Sequence, residues 1–489
     1  MITLAYDLGA TSGRAVVGRF NGERLDIKEI HRFANDPVQV GSHLYWDILR
    51  IYHELQLGLL KCKYAGYDHI SSMAIDSWAI DFGLLGKNDE LLGNPYHYRD
   101  PQTAGMMEEV SQIISKKELF SRTGIQFMPI NTIYHLYAMR KAGSPILDQA
   151  EHLLMIPDLL RFFLTGEKQS EFTNATTTQL FNARSKQWDQ HIIEALGLPG
   201  HIFGEVSQPA KINGQLRSSV SQDLGMNAIP LVAVAEHDTA SAVVAVPAAD
   251  QDFAYLSCGT WSLLGTEVTE PVLTEHALNW NFTNEGGIHN TYRLLKNIMG
   301  LWIIEECRRV WAKEGTNLSY EQLIRLARDA QPFVSFIDPD DHMFLKPSHM
   351  PDQIKQYCQR TGQPVPESQG EIINCVLTSL ALKYRLILER TEQLANKSFA
   401  GLHMVGGGIK NTLLCQYTAN AIGRPVWAGP VEATAVGNLL VQYMAQGQIN
   451  SLQEARLVSR HSYPVTTYEP EDHEHWTEAY AKFRAMTKC

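Results

Sequence analysis

The chain has 489 residues, more than one compact core accommodates, so two or three domains are expected. Hydrophobic residues make up 44% and charged residues 19%, the balance of a soluble globular enzyme. A net charge of −11 without any long Lys/Arg run argues against nucleic acid and anionic membrane as partners, and no apolar stretch reaches bilayer-spanning length.

The chain opens LAYDLGATSGRAVVGRF. An apolar strand ends at Asp7, a Gly/Thr/Ser turn follows, and AVVGRF and ERLDIKEIHRF read as two further strands. The start MITLAYDLGA therefore reads as a strand rather than a leader. The turn lies between two strands and lacks G-K-[ST], which excludes a P-loop. A helix is predicted from about Trp46 to Lys61, with Ile48, Ile51, Leu55 and Leu59 on one face. SSMAIDSWAIDFGLL reads as a strand pair or one long strand carrying Asp76 and Asp81. Polar turns and helices fill the middle, and VPAADQD near 246–252 reads as a boundary. FAYLSCGTWSLLGTEV then repeats strand, turn, strand: Gly9, Ala10, Thr11 and Ser12 align with Gly259, Thr260, Trp261 and Ser262. The two turns open the two halves of the chain, as a duplicated domain predicts. Helices are expected near Ile298–Lys313 and Ile372–Leu394. LHMVGGGIKNTLLCQYTANAIG and RPVWAGPVEATAVGNLLVQYMA each read as extended chain, Gly or Pro break, then helix, which is α/β logic. The seven cysteines are scattered with no C-x-x-C, which disfavours zinc and suits a reducing cytoplasm.

Three glycine turns could meet phosphate. In DLGATSGR the backbone N–H groups can converge on one point, with Ser, Thr and Arg14 adding donors, and Asp7 suits Mg²⁺. SCGTWSLLG offers a second such turn, and VGGGIKN lets backbone approach a ligand closely. Each is weak alone; read blandly, the first two are hairpin turns and the third a tight strand–helix turn. AVAEHDTASAVVAVPAA sets Glu236, His237 and Asp238 in a small apolar segment. A buried charge is costly without a partner, so these residues are either solvated at a turn or held for chemistry. Asp238 suits a base toward a hydroxyl and could also cap a helix, while Glu236 is the least explained of the three.

Together, DLGATSGR, AVAEHDTASAV, YLSCGTWSLLG and VGGGIKN resemble the FGGY carbohydrate kinases of the actin-like superfamily. EIHRF, SRTGIQFMP, TNATTTQL, NFTNEGG, RLLKNIMGLW and AGPVEATAVGN are similar to the branch acting on L-rhamnulose. The resemblance implies an α/β fold of two ribonuclease-H-like domains, 1–247 and 248–489, with an interdomain cleft for ATP and sugar. It implies Mg·ATP-dependent phosphorylation of the ketose 1-hydroxyl in L-rhamnose degradation, in the cytoplasm, with a small-molecule ketose and ATP as partners and a monomer favoured. Carried over by position, Ala10, Thr11, Ser12, Gly13, Arg14, Thr260 and Gly407 would contact ATP, with Glu305 where a relative places Gln. Ala79 (in place of a family glycine), His237, Asp238, Thr239 and Asn297 would bind the ketose, Asp238 being the proton acceptor, and Asp7 would hold the metal. Cys358 and Cys375 stand where such kinases can carry a bridging pair. The alternatives are a kinase for fuculose, xylulose or an autoinducer sugar, and a non-catalytic sugar or nucleotide sensor on the same fold. A sensor should lack the base or the metal carboxylate, and a chaperone-like ATPase would give no reason for His237-Asp238-Thr239.

Overall fold

Strand β1 (Ile2–Leu8) is buried along nearly its whole length because it has a strand on each side. It pairs antiparallel with β2 (Ser12–Phe20), and β2 pairs antiparallel with β3 (Leu25–Ala34). On its other edge β1 runs parallel to β4 (Ser72–Ser77), reached through helix α1 (Ile48–Tyr64), whose N-cap Asp47 accepts from the Arg50 N–H. Strands β5 (Lys211–Gln215) and β6 (Pro230–Ala233) complete a six-stranded sheet in the order β5-β6-β4-β1-β2-β3. Helix α2 (Ile156–Thr165) packs on β4, and the short helix α3 (Asp238–Val244) follows β6.

The same plan recurs further along the chain. Strand β7 (Ala254–Cys258) pairs antiparallel with β8 (Trp261–Val268). After β9 (Thr283–Gly286) and β10 (Tyr292–Met299), helices α4 (Trp302–Lys313) and α5 (Gln369–Ala395) follow. Strand β11 (Leu402–Val405) then runs parallel to β7, and β12 (Val426–Ala428) parallel to β11. With β13 (Thr466–Tyr468) the order of the seven-stranded sheet is β9-β10-β8-β7-β11-β12-β13. In both halves a hairpin is followed by two parallel strands, which is the duplication that the repeated turns predict. Helix α5 begins at a capping box, Ser368 and Glu371, and is buried on most sides. Helix α6 (Thr412–Ile422) packs on it.

The structure describes residues 1–345 and 349–487, and the chain divides into two compact units. The first holds Met1–Ala245, Glu267–Leu294 and Ala433–Ser462; the second holds the rest. The first break falls within two residues of the sequence boundary at 247, but two segments of the later half join the first unit. Packing explains one of them. Helix α7 (Ala433–Ala445) lies on β1, β4 and α3. Gly437 makes the α3 contact, since a Cβ there would sit 1.7 Å from the Ser241 carbonyl oxygen. Gln442 accepts from Ser72 Oγ at 2.6 Å and donates to the Leu4 carbonyl at 2.9 Å. Among the described residues, no helix is long and apolar enough to cross a membrane.

Candidate active site

Strand register builds the first row of the site. Arg14 on β2 and Asp76 on β4 are both register partners of Asp7 on β1. Arg14 donates to Asp7 Oδ2 from Nε at 3.0 Å and from Nη2 at 2.6 Å. Asp76 is fully buried; Asn438 of α7 donates to its Oδ2 at 2.6 Å, and its Oδ1 has no partner. Burial, then repulsion from Asp7 and Asp238, holds the Asp76 carboxyl well above the usual range. Asp76 is the site residue that sequence reading passed over: it was visible as a strand acid, but nothing local placed it beside Asp7.

The turn joining β1 and β2 closes through Gly9 N–H to the Ser12 carbonyl at 2.9 Å, and Asn35 Nδ2 braces it by donating to the Gly9 carbonyl at 2.9 Å. The turn at 259–262 closes one residue tighter, with Gly259 N–H donating to the Trp261 carbonyl at 2.9 Å. At β11 each glycine of VGGGIKN has its own reason. Gly406 has φ +91°, and a Cβ on Gly408 would meet Cys258 Sγ at 2.4 Å. Gly407 has nothing within 4 Å of that position, so folding alone does not require glycine there.

Beside β4 the chain carries Glu236, His237 and Asp238, with Ser77 N–H donating to the Glu236 carbonyl at 2.9 Å. Glu236 turns into the interior. Arg161 of α2 donates to its Oε1 from Nε at 2.9 Å and to Asp158 Oδ1 from Nη2 at 2.6 Å. All three side chains are at most 2% exposed. Burial pushes Glu236 upward against the pull of Arg161, and burial together with repulsion from Glu236 raises Asp158 and the nearby Glu171, Glu171 to about 8. Glu236 is thus a structural partner of Arg161, which answers the question its position raised.

His237 is the N-cap residue of α3, and Asp238 is the first helical residue rather than the cap that sequence reading allowed. Asp238 Oδ1 accepts from the Thr239 N–H at 2.5 Å and Thr239 Oγ1 at 3.1 Å, and lies 3.4 Å from His237 Nε2. The Asp238 side chain keeps 30% of its surface exposed. Burial pushes its carboxyl up, His237 pulls it back, and the Asp7 charge pushes it up again.

Ala79 is partly exposed at a tight turn where Asp81 N–H donates to the Ala79 carbonyl at 2.9 Å. Ile80 at its centre has φ +69°, a strained value for a β-branched residue, and Thr132 Oγ1 secures the Ile80 carbonyl at 2.6 Å. Asp81 Oδ2 accepts from Trp46 Nε1 at 2.6 Å and Trp78 Nε1 at 2.8 Å, and burial raises its carboxyl to about 7.

In the second unit Asn297 lies on β10 and Thr260 in the β7–β8 turn. Glu305, in the first turn of α4, is about half exposed and pairs with Arg308 at 2.7 Å, the geometry of an ordinary surface ion pair. Cys358 and Cys375 are free, buried thiols rather than a disulfide. The Cys375 thiol hydrogen-bonds to Cys358, which lowers Cys358 and raises Cys375.

Among the described residues, no group of three or more His, Cys, Asp or Glu side chains has the geometry of a metal site. Mg²⁺ in phosphoryl-transfer sites usually relies on one or two carboxylates, waters and the substrate's phosphates. Asp7, with the unpartnered Asp76 Oδ1 beside it, fits an ion that arrives on a nucleotide.

Two hairpin-led α/β units, carboxylates at strand ends and open glycine turns together define a duplicated phosphotransferase fold. Solved structures agree on the fold. A ligand-bound xylulose kinase from Lactobacillus acidophilus is similar at TM-score 0.80 and 17% identity, covering 100% of this chain and 96% of that one. Glycerol kinase with ADP from Plasmodium falciparum matches at TM-score 0.79 and 15% identity, covering 100% and 97%. The models of the N-terminal and C-terminal domains of the FGGY family of carbohydrate kinases match residues 2–245 and 254–446. The chain belongs to the FGGY family of carbohydrate kinases. It is an ATP-dependent sugar kinase, and its nucleotide carries Mg²⁺. Among its relatives, the rhamnulokinase of Bacteroides thetaiotaomicron is 45% identical over 98% of both chains. That of Halalkalibacterium halodurans is 45% identical over 96% of this chain and 99% of its own, and that of Bacillus subtilis 40% identical over 96% of each.

Proposed function

We propose that this kinase transfers the γ-phosphate of ATP to the 1-hydroxyl of L-rhamnulose, in the breakdown of L-rhamnose and in the cytoplasm. One observation carries the reading: relatives named rhamnulokinase are 40–45% identical along almost the whole chain. The residues supply a part for each task. Asp238 takes the hydroxyl proton, having an exposed carboxylate edge beside His237 and Thr239. His237, Thr239, Ala79 and Asn297 hold the ketose, the strained turn at Ile80 fixing the Ala79 backbone. The turn from Ala10 to Arg14, with Thr260 and Gly407, receives ATP. Asp7 would hold Mg²⁺, and the ion would neutralise charge on the transferring phosphoryl group. Glu305, tied to Arg308 at the surface, takes only a peripheral nucleotide contact.

The test is a coupled ADP-release assay over L-rhamnulose, L-fuculose, D-xylulose, an autoinducer sugar and glycerol. A kcat/KM for L-rhamnulose at least tenfold above every other acceptor is expected. Saturation by xylulose or glycerol with no response to rhamnulose would refute the assignment.

Gly407 gives a separate expectation. Since nothing occupies the space a Cβ would take, Gly407→Ala should fold with an unchanged unfolding midpoint. Its KM for ATP should rise about tenfold, because an added methyl holds backbone away from a ligand that needs close approach. Isothermal titration with ADP reads this directly.

A further inference from the structure

Glu285 and Arg293, on β9 and β10, have no part in the reading above, yet both are buried against His237. Arg293 is wholly buried. Its Nε donates to the Gly286 carbonyl at 2.9 Å, and its Nη2 reaches both Glu285 Oε2 at 3.1 Å and His237 Nδ1 at 3.0 Å. Glu285 Oε2 lies 3.2 Å from the same Nδ1. Thr173 Oγ1 accepts from the His237 backbone N–H at 3.0 Å, which fixes the ring's point of attachment.

A guanidinium only donates and stays charged. The ring nitrogen it meets must therefore present a lone pair, so in neutral His237 the proton sits on Nε2. That nitrogen faces Asp238 Oδ1 at 3.4 Å. Glu285 alone would favour the opposite tautomer, with the proton on Nδ1, but its charge is taken up by Arg293. The charged groups around the ring are thus Arg293 and Glu285 on one nitrogen and Asp238 on the other.

We propose that Arg293, braced by Glu285, is a positioning residue that fixes the tautomer of His237 and through it the orientation of the base. His237 Nε2–H and the two donors of Thr239 then all meet Oδ1 of Asp238. Oδ2 is left to accept the proton of the sugar hydroxyl as the oxygen attacks the phosphoryl group. The inference rests on the reading of Asp238 as base.

Two measurements test it. In the wild-type protein, ¹⁵N NMR of the ring, assigned by the signal lost in His237→Asn, should show an unprotonated Nδ1 and a protonated Nε2. A protonated Nδ1 at neutral pH overturns the proposal. In Arg293→Met, His237 can take a proton at Nδ1 and turn it to Glu285, and the resulting imidazolium weakens the neighbouring Asp238 as a base. The variant should lose 10- to 100-fold in kcat with its ketose KM within about threefold. Its kcat–pH profile should also depart from that of the wild type on the acid side. Glu285→Gln, which leaves Arg293 in place, should keep the wild-type profile. If Asp238→Asn loses turnover while Arg293→Met keeps wild-type kcat and profile, the positioning role is wrong and the base stands. If Asp238→Asn keeps its turnover, the base itself is wrong.

Discussion

Asp238→Asn is expected to lower kcat by about 10²–10⁴-fold, the usual worth of a positioned base. Asparagine keeps an oxygen for the Thr239 donors at 2.5 and 3.1 Å and keeps the side chain's shape, so helix α3 should start unchanged. Ketose binding should fall far less than turnover, because the lost function is proton acceptance. Steady-state kinetics beside a thermal melt decide the matter: a lower kcat at an unaltered melting temperature supports the base, and unaltered kcat removes it. The wild-type profile adds a direction. With its carboxyl raised by burial and by Asp7, Asp238 should protonate above the ordinary aspartate value of about 3.9, so activity should fail on the acid side earlier than an exposed aspartate would allow.

Arg161→Met should be the most damaging single change to stability. It leaves Glu236 and Asp158, both buried, without their cation. Removing one partner of a buried ion pair costs about 3–5 kcal/mol, against a total of about 5–15 kcal/mol for a domain. The pH dependence has a definite sign. Asp158, Glu171 and Glu236 have folded values raised above those of the unfolded chain. Their contribution to stability is fully present below the ordinary carboxylate range and is lost as pH rises through the folded values, about 8 for Glu171. Urea midpoints should therefore fall between pH 6 and 9. In Arg161→Met the fall should begin at lower stability and be steeper, since the charge that eases ionisation of Asp158 and Glu236 is gone. A midpoint within error of wild type at pH 8 would contradict this account.

What sequence could read here was what short range decides. The β1–β2 and β7–β8 hairpins were legible because strand, turn and strand lie within some twenty residues and the turns repeat. Helix α5 was legible from its long apolar run, although the capping box of Ser368 and Glu371 starts it at Gln369, three residues before the expected Ile372. The run YRLLKNIM was harder, since a short apolar stretch has no period that separates strand from helix. A helix was expected from about Ile298, but strand β10 lasts to Met299 and helix α4 begins at Trp302. Partners distant in sequence were not legible. Arg161 is 75 residues from Glu236, and Asn438 is 362 from Asp76. Glu285 lay in the quoted NFTNEGG, yet only the pairing of β9 with β10 sets it beside Arg293 and His237. The resemblance supplied candidate roles; the packing supplied the reasons those side chains can stand where they do.

Helix α7 has a consequence for how the chain is made. The six-stranded sheet of the first unit is complete by Ala233, yet the helix that lies on β1 and β4 begins at Ala433. At about 5–20 residues per second, a ribosome needs roughly 10–40 s to add the intervening residues. Through that interval a nascent sheet waits with Gly18, Ser72 and Asp76 lacking the Tyr443, Gln442 and Asn438 that later meet them. A chain cut near residue 245 therefore leaves the faces of β1 and β4 that α7 covers open to water, and is expected to aggregate. A stand-alone first unit would need residues 267–294 as well as 433–462 joined to that half.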